Sequence, residues 1–237
     1  MAFSKPGGTD GYTMTLQATM KKLRITTAFF LIMFGTYGQV KDVCICPKSD
    51  LASTTADSIF TLSNNKKIAL CGYRNLESLP VTFSEFVLAE CNGKYILDSW
   101  DATQICRIEV QKDTLMVNEL YILPTGKKFD PVEIVWSTEK IYFSNDRPIK
   151  KRFINRQIRK YSEKEILEVL SLYETKISTI EFDKMQIARK LFVATISGSN
   201  KARQYFLNFP EKCGILDGAY KEEYRELISM LQLWDEL

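Results

Sequence analysis

Phe83-Ser84-Glu85-Phe86-Val87-Leu88-Ala89-Glu90-Cys91-Asn92-Gly93-Lys94-Tyr95-Ile96-Leu97-Asp98-Ser99-Trp100 places two apolar-rich runs on either side of Asn92-Gly93. Both central positions of a type I′ turn need positive φ, which Asn and Gly tolerate, and that turn has the twist of the strands it joins. The stretch predicts a β-hairpin in which Leu97 faces Leu88 and Asp98 faces Val87.

The same pattern repeats outward from this hairpin. Ser58 to Leu62 and Lys67 to Gly72 flank Ser63-Asn64-Asn65-Lys66, and Gln104 to Val110 and Leu115 to Ile122 flank Gln111-Lys112-Asp113. Val132 to Trp136 and Lys140 to Phe143 flank Ser137-Thr138-Glu139, and Pro124-Thr125-Gly126 interrupts the series. From Ser162 the apolar period changes from two to 3.6. Ser162-x-x-Glu165 is a capping box, and helices are expected from there, from Asp183 to Gly198, from Ser199 or Asn200 to Pro210, and from Asp217. On the last, Tyr220, Tyr224, Leu227, Ile228, Leu231 and Trp234 form one stripe. The fold class is α+β: an antiparallel β meander of about eight or nine strands over residues 39–160, then a segment of about four helices over 161–237.

Met20 to Gly38 reads as an export signal. Lys21, Lys22 and Arg24 form a basic head, Ala28 to Phe34 an apolar run, and Thr36 and Gly38 supply small residues before a cut at Gln39. The run is short of the ~20 apolar residues of a membrane span. Residues 1–19, upstream of a second start-like Met20, read as an extension or tag. Residues 1–40 hold four cations against one acid, which accounts for the whole net charge of +3 and leaves a neutral body. A neutral body offers no phosphate-neutralising surface, so nucleic acid is not an expected partner. Membrane contact is expected only through an uncleaved signal.

An exported chain permits disulfides. Of the six cysteines, Cys44, Cys46, Cys71, Cys91 and Cys106 are the candidates, with Cys44 and Cys46 on an extended lead-in stapled to the body. If Asp101 to Thr103 is a second hairpin turn, Cys106 faces Asp98 and lies four residues, or ~13 Å, from the level of Cys91. Disulfide Cα atoms lie within about 7 Å. Cys91 and Cys106 should therefore not bond each other, and at least one should reach Cys71 or the lead-in.

The chain has no histidine. That excludes Ser-His-Asp and Cys-His nucleophiles and the His-Glu-x-x-His zinc hydrolases. Cys44-Ile45-Cys46 is too tight for a zinc knuckle, and neither a metal nor a cofactor is expected. Lys150, Lys151, Arg152, Arg156, Arg159 and Lys160 form the one charge run, expected on an exposed edge strand, with a patch for an acidic partner as its functional alternative. The expected function is non-catalytic: a periplasmic or secreted interaction protein of inhibitor or immunity type, whose partner is another protein. Two alternatives stand beside it. One is a carboxylate-based hydrolase of envelope sugars using two of Glu85, Glu90, Asp98 and Asp101. The other is a structural envelope component.

Overall fold

The computed structural model describes residues 44–48, 55–75, 80–91, 95–176, 184–214 and 216–236. All of them belong to one compact unit, Val43–Leu237. The proposed export signal, the extension before it and the Asn92-Gly93 turn lie outside the described residues. The strands are β1 (Ser58–Thr61), β2 (Lys67–Asn75), β3 (Thr82–Glu90), β4 (Ile96–Trp100), β5 (Ile105–Gln111), β6 (Thr114–Leu123), β7 (Val132–Ser144) and β8 (Arg147–Ile154). The helices are α1 (Glu163–Lys176), α2 (Lys184–Ile196), α3 (Asn200–Leu207), α4 (Phe209–Cys213) and α5 (Gly218–Glu236). The chain is an α+β protein: one antiparallel sheet of eight strands followed by helices.

Strand order is β1-β2-β3-β5-β6-β7-β8, with β4 also paired to β3. Since β2 occupies one edge of β3 along its length, β4 and β5 share the other edge and run in the same direction. This corrects the expected second hairpin. Residues 101–104 are an excursion and not a reversal: the Asp101 carboxylate accepts from the Thr103 amide and hydroxyl at 2.9 and 2.6 Å, and its carbonyl accepts from the amides of Glu85 and Gln104. Cys106 therefore sits opposite Phe83 and not Asp98. Glu85 is the extra residue of a bulge in β3, with φ 49°, and a Cβ on the opposing Gly72 would lie 2.4 Å from its carbonyl oxygen. Only glycine fits there.

Two further strand expectations change. A bulge in β4 shifts the first hairpin by one residue, so that Leu88 meets Asp98 and Val87 meets Ser99. Leu97, the extra residue, still reaches the core. Ser137-Thr138-Glu139 is not a turn, because the Ser137 and Thr138 hydroxyls donate across to Glu119 and Asn118 at 2.7 Å each and carry β7 through as one strand of 13 residues.

The sheet is rolled. The β1–β2 turn reaches the β5–β6 turn through Ser63 and Asp113, and the β7–β8 turn through the Lys66–Asp146 ion pair at 2.8 Å. Lys150 on β8 spans to Asp98 on β4 at 2.6 Å. Inside the roll pack Leu70, Phe86, Leu88, Trp100, Val117 and Ile141. A second core joins the far ends of β6 and β7 to the helices through Leu123, Trp136, Phe192, Phe206 and Leu227. Disulfides Cys44–Cys91 and Cys46–Cys71 tie the lead-in to β3 and β2, while Cys106 and Cys213 are buried free thiols.

Local signals place the helix ends. The Ser162 amide and hydroxyl donate to Glu165 at 2.8 Å each, and Ser199 caps α3 through the Ala202 amide at 3.2 Å. Pro210 does not end a helix. It sits in the first turn of α4, where its missing N–H costs nothing, so the stretch expected as one helix ending at Pro210 divides into α3 and α4. Tyr220 is 53% exposed and off the buried stripe of α5, which is carried by Tyr224, Leu227, Met230 and Leu231.

Candidate functional site

β6 alternates Leu115, Val117, Glu119, Tyr121 and Leu123 onto one face, so a carboxylate falls in the middle of an inward apolar row. It falls where the two cores meet. Opposite Glu119, β7 bulges by one residue, and Trp136, fully buried, swings into the helical core and stacks on Trp234 at 5.7 Å. Glu119 is 5% exposed and is satisfied on several sides: Ser137 Oγ donates at 2.7 Å, Gln104 Nε2 at 3.3 Å, and Arg152 forms an ion pair with it. Arg152 also donates to Ser137 Oγ at 3.2 Å, closing the network.

α5 crosses above this seam and leaves a cleft of ≈ 740 Å³. From the helix, Glu222, Glu223 and Glu226 line it at i, i+1 and i+4; from the sheet come Glu119, Tyr121 and Arg152, and from the excursion after β4 comes Asp101. The Tyr121 hydroxyl donates to Glu226 across the cleft. Burial, reinforced by that bond to Glu226, raises the Tyr121 pKa well above its ordinary value, so it stays a neutral donor. Burial also pushes the Glu226 carboxyl up; Tyr121 opposes this, and the neighbouring charges of Glu119, Asp101 and Glu223 add to it.

The lining holds five carboxylates against two guanidiniums, Arg152 and Arg225. Both cations are already engaged, Arg152 by Glu119 and Arg225 by Glu222 at 2.8 Å. A third guanidinium, Arg189, pairs with Glu223 from the rim, so among the described residues Asp101 and Glu226 are the lining carboxylates left without an ion pair, and they give the cleft its excess negative charge. Among the described residues no group of three or more His, Cys, Asp or Glu side chains is arranged to hold a metal.

The residues singled out in the sequence are distributed differently. Of Glu85, Glu90, Asp98 and Asp101, only Asp101 lines this cleft, while Asp98 is bound to Lys150. The basic run does not form one strand or one patch: β8 ends at Ile154. Lys150 and Arg152 turn to Asp98 and Glu119, whereas Arg156 lies over the Trp234 ring at 4.2 Å and donates to its carbonyl. Arg159 binds Glu165 at 2.6 Å and the Thr125 carbonyl at 3.2 Å; Lys151 and Lys160 are exposed. Of the disulfide candidates, Cys106 remains a thiol beside Glu119, its pKa raised chiefly by burial. Glu119, Tyr121 and Glu226 were not singled out. The available signals were an acid on the inward face of an apolar strand and acids at i, i+1 and i+4 on an amphipathic helix.

Comparison with protein-family models, with curated proteins and with solved structures finds no match to this chain. The class that the fold and site define is therefore structural: a rolled antiparallel sheet, stapled at one end, with a helical layer that frames an acidic cleft.

Proposed function

We propose that this is an exported, non-catalytic binding protein that takes a cationic segment of a partner protein into the cleft under α5. One observation carries the reading: five carboxylates line the cleft, three are met by guanidiniums, and two, Asp101 and Glu226, remain in excess. Electrostatic complementarity of this kind steers encounter and sets specificity. The disulfides and the signal-like Met20 to Gly38 support the exported setting. The test is affinity capture from the envelope fraction of the native host with the natural chain and with a Glu222→Gln, Glu223→Gln, Glu226→Gln variant. Expected is one stoichiometric partner retained by the natural chain and lost with the variant and in high salt, at unchanged circular dichroism. Equal retention by both chains, or none by either, counts against the reading.

A second reading, carboxylate catalysis on envelope sugars, draws on one feature. Glu226, its pKa raised by burial, shares the cleft with Glu119, which is held in an ion pair, and such divided environments suit an acid and a base. Turnover of an envelope glycan that disappears in Glu226→Gln would favour it.

A further inference from the structure

Beside the acidic cleft lies a second pocket of ≈ 300 Å³, lined on its apolar side by Ile105, Leu120, Ile122, Leu123 and Leu227. The two pockets share Thr103, Tyr121, Glu223 and Glu226. Tyr121 is thus the partition between them, with its hydroxyl held on Glu226. Ile105 and Ile122 are 47% and 61% exposed, so the apolar pocket opens to solvent with two large aliphatic side chains uncovered. At the shared rim the Arg189 guanidinium is taken up by Glu223, leaving no free cation between the halves among the described residues.

We propose that the two pockets form one bipartite groove whose ligand is a partner-protein segment carrying a Lys or Arg next to a bulky apolar residue. The cation enters the carboxylate-lined half, and the apolar side chain covers Ile105 and Ile122. This rests on the cleft being a binding site for a cationic segment and specifies the sequence chemistry of that segment. Charge complementarity selects the first position, and continuity of the lining across Tyr121 selects the second. A small polyamine would satisfy only the acidic half and leave the isoleucines wet. The apolar pocket has the lower-end volume of a ligand cavity, which suits one or two side chains better than a cofactor.

The test uses the full, oxidised chain and fluorescence anisotropy with two labelled peptides, one of alternating Arg and Gly, the other of alternating Arg and Leu. Burial of a large aliphatic side chain predicts that the Arg-Leu peptide binds about tenfold tighter or more. Ile122→Ser, a change at an exposed position, should bring the ratio of the two affinities down to near one, and Glu223→Gln with Glu226→Gln should weaken both. If both peptides bind equally and Ile122→Ser changes nothing, the bipartite groove is wrong and the acidic site stands. If spermidine competes as well as the Arg-Leu peptide, the apolar half is likewise not part of the site. If neither peptide binds, the cationic-ligand reading fails and this inference with it.

Discussion

The two ends of the sheet are held by different physics. On the face of β2 and β3 that the lead-in covers, opposite the core inside the roll, the apolar cluster is small, namely Cys44, Cys46, Ala69 and Cys71, and two disulfides fix the lead-in to it. At the β6–β8 end no cross-link is present among the described residues, and a file of aromatic rings does the work. Trp234 stacks on Trp136, Trp136 meets Phe192 at 5.7 Å, Phe192 meets Phe206 at 5.8 Å, and Phe206 meets Tyr224 at 5.5 Å. Where a core is large enough, packing suffices; where a short edge strand and an irregular lead-in bury little, covalent bonds replace it. The cleft lies toward the packed end, at the seam where β6 and β7 leave one core and enter the other.

The largest effect is expected from breaking the packed end. Phe206 is fully buried in the middle of the aromatic file, and truncating such a ring costs about 3–5 kcal/mol. That is a large share of the ~5–15 kcal/mol by which a domain is stable. Phe206→Ala should lower the urea midpoint strongly. Because β6 and β7 run through both cores, hydrogen exchange should show helices and central strands losing protection together. Helices that open while β6 and β7 keep full protection would show that the two cores are separable units.

Breaking the stapled end should cost less and stay local. The disulfides span sequence separations of 47 and 25 residues, and loops of that size contribute on the order of 3–4 kcal/mol each by constraining the unfolded chain. Cys46→Ser with Cys71→Ser should lower the melting temperature and expose β1 and β2 to exchange, with α2 and α5 still protected. Loss of protection in α2 equal to that in β2 would erase the contrast between the ends. Cys106 should remain unmodified in the native variant, since its thiol is fully buried and its pKa is raised.

The same contrast explains what was legible in the sequence. The α+β division, the strand-rich half and the α1 capping box follow from local period and from side chains near in sequence, and these are what sequence reading detects. The errors occur where tertiary partners decide. Ser137-Thr138-Glu139 has turn composition, yet Asn118 and Glu119 on β6 satisfy its hydroxyls and hold it in a strand. Asp101-x-Thr103 has hairpin-turn composition, yet the Glu85 bulge lets β4 continue as β5 along β3. The cleft was illegible for the same reason. Glu119 and Glu226 are 107 positions apart and come together only because a bulge at Trp136 and the crossing of α5 coincide.

The smallest effect is expected at the entrance to the packed end, where α1 begins. Glu165 accepts from the Ser162 amide and hydroxyl and from Arg159, and these bonds, Arg159 first, lower its pKa to about 2. A carboxyl whose folded pKa is depressed adds stability above its unfolded pKa and loses it as pH falls through the folded one. The contribution should therefore be present above about pH 4.5, the unfolded value, and vanish as pH falls toward about 2. Ser162→Ala should cost about 1 kcal/mol at neutral pH. The difference between the two chains should shrink as Glu165 protonates, because the natural chain then loses the charged half of its cap. Melting curves of both chains from pH 7 to pH 2 measure this directly, and a difference that stays constant or grows on acidification would place the Ser162 effect outside the Glu165 carboxylate. The N-terminus of α1 carries Arg159 to the Thr125 carbonyl as well, so loosening the cap should also raise exchange in the loop before β7 and leave the disulfide end unchanged.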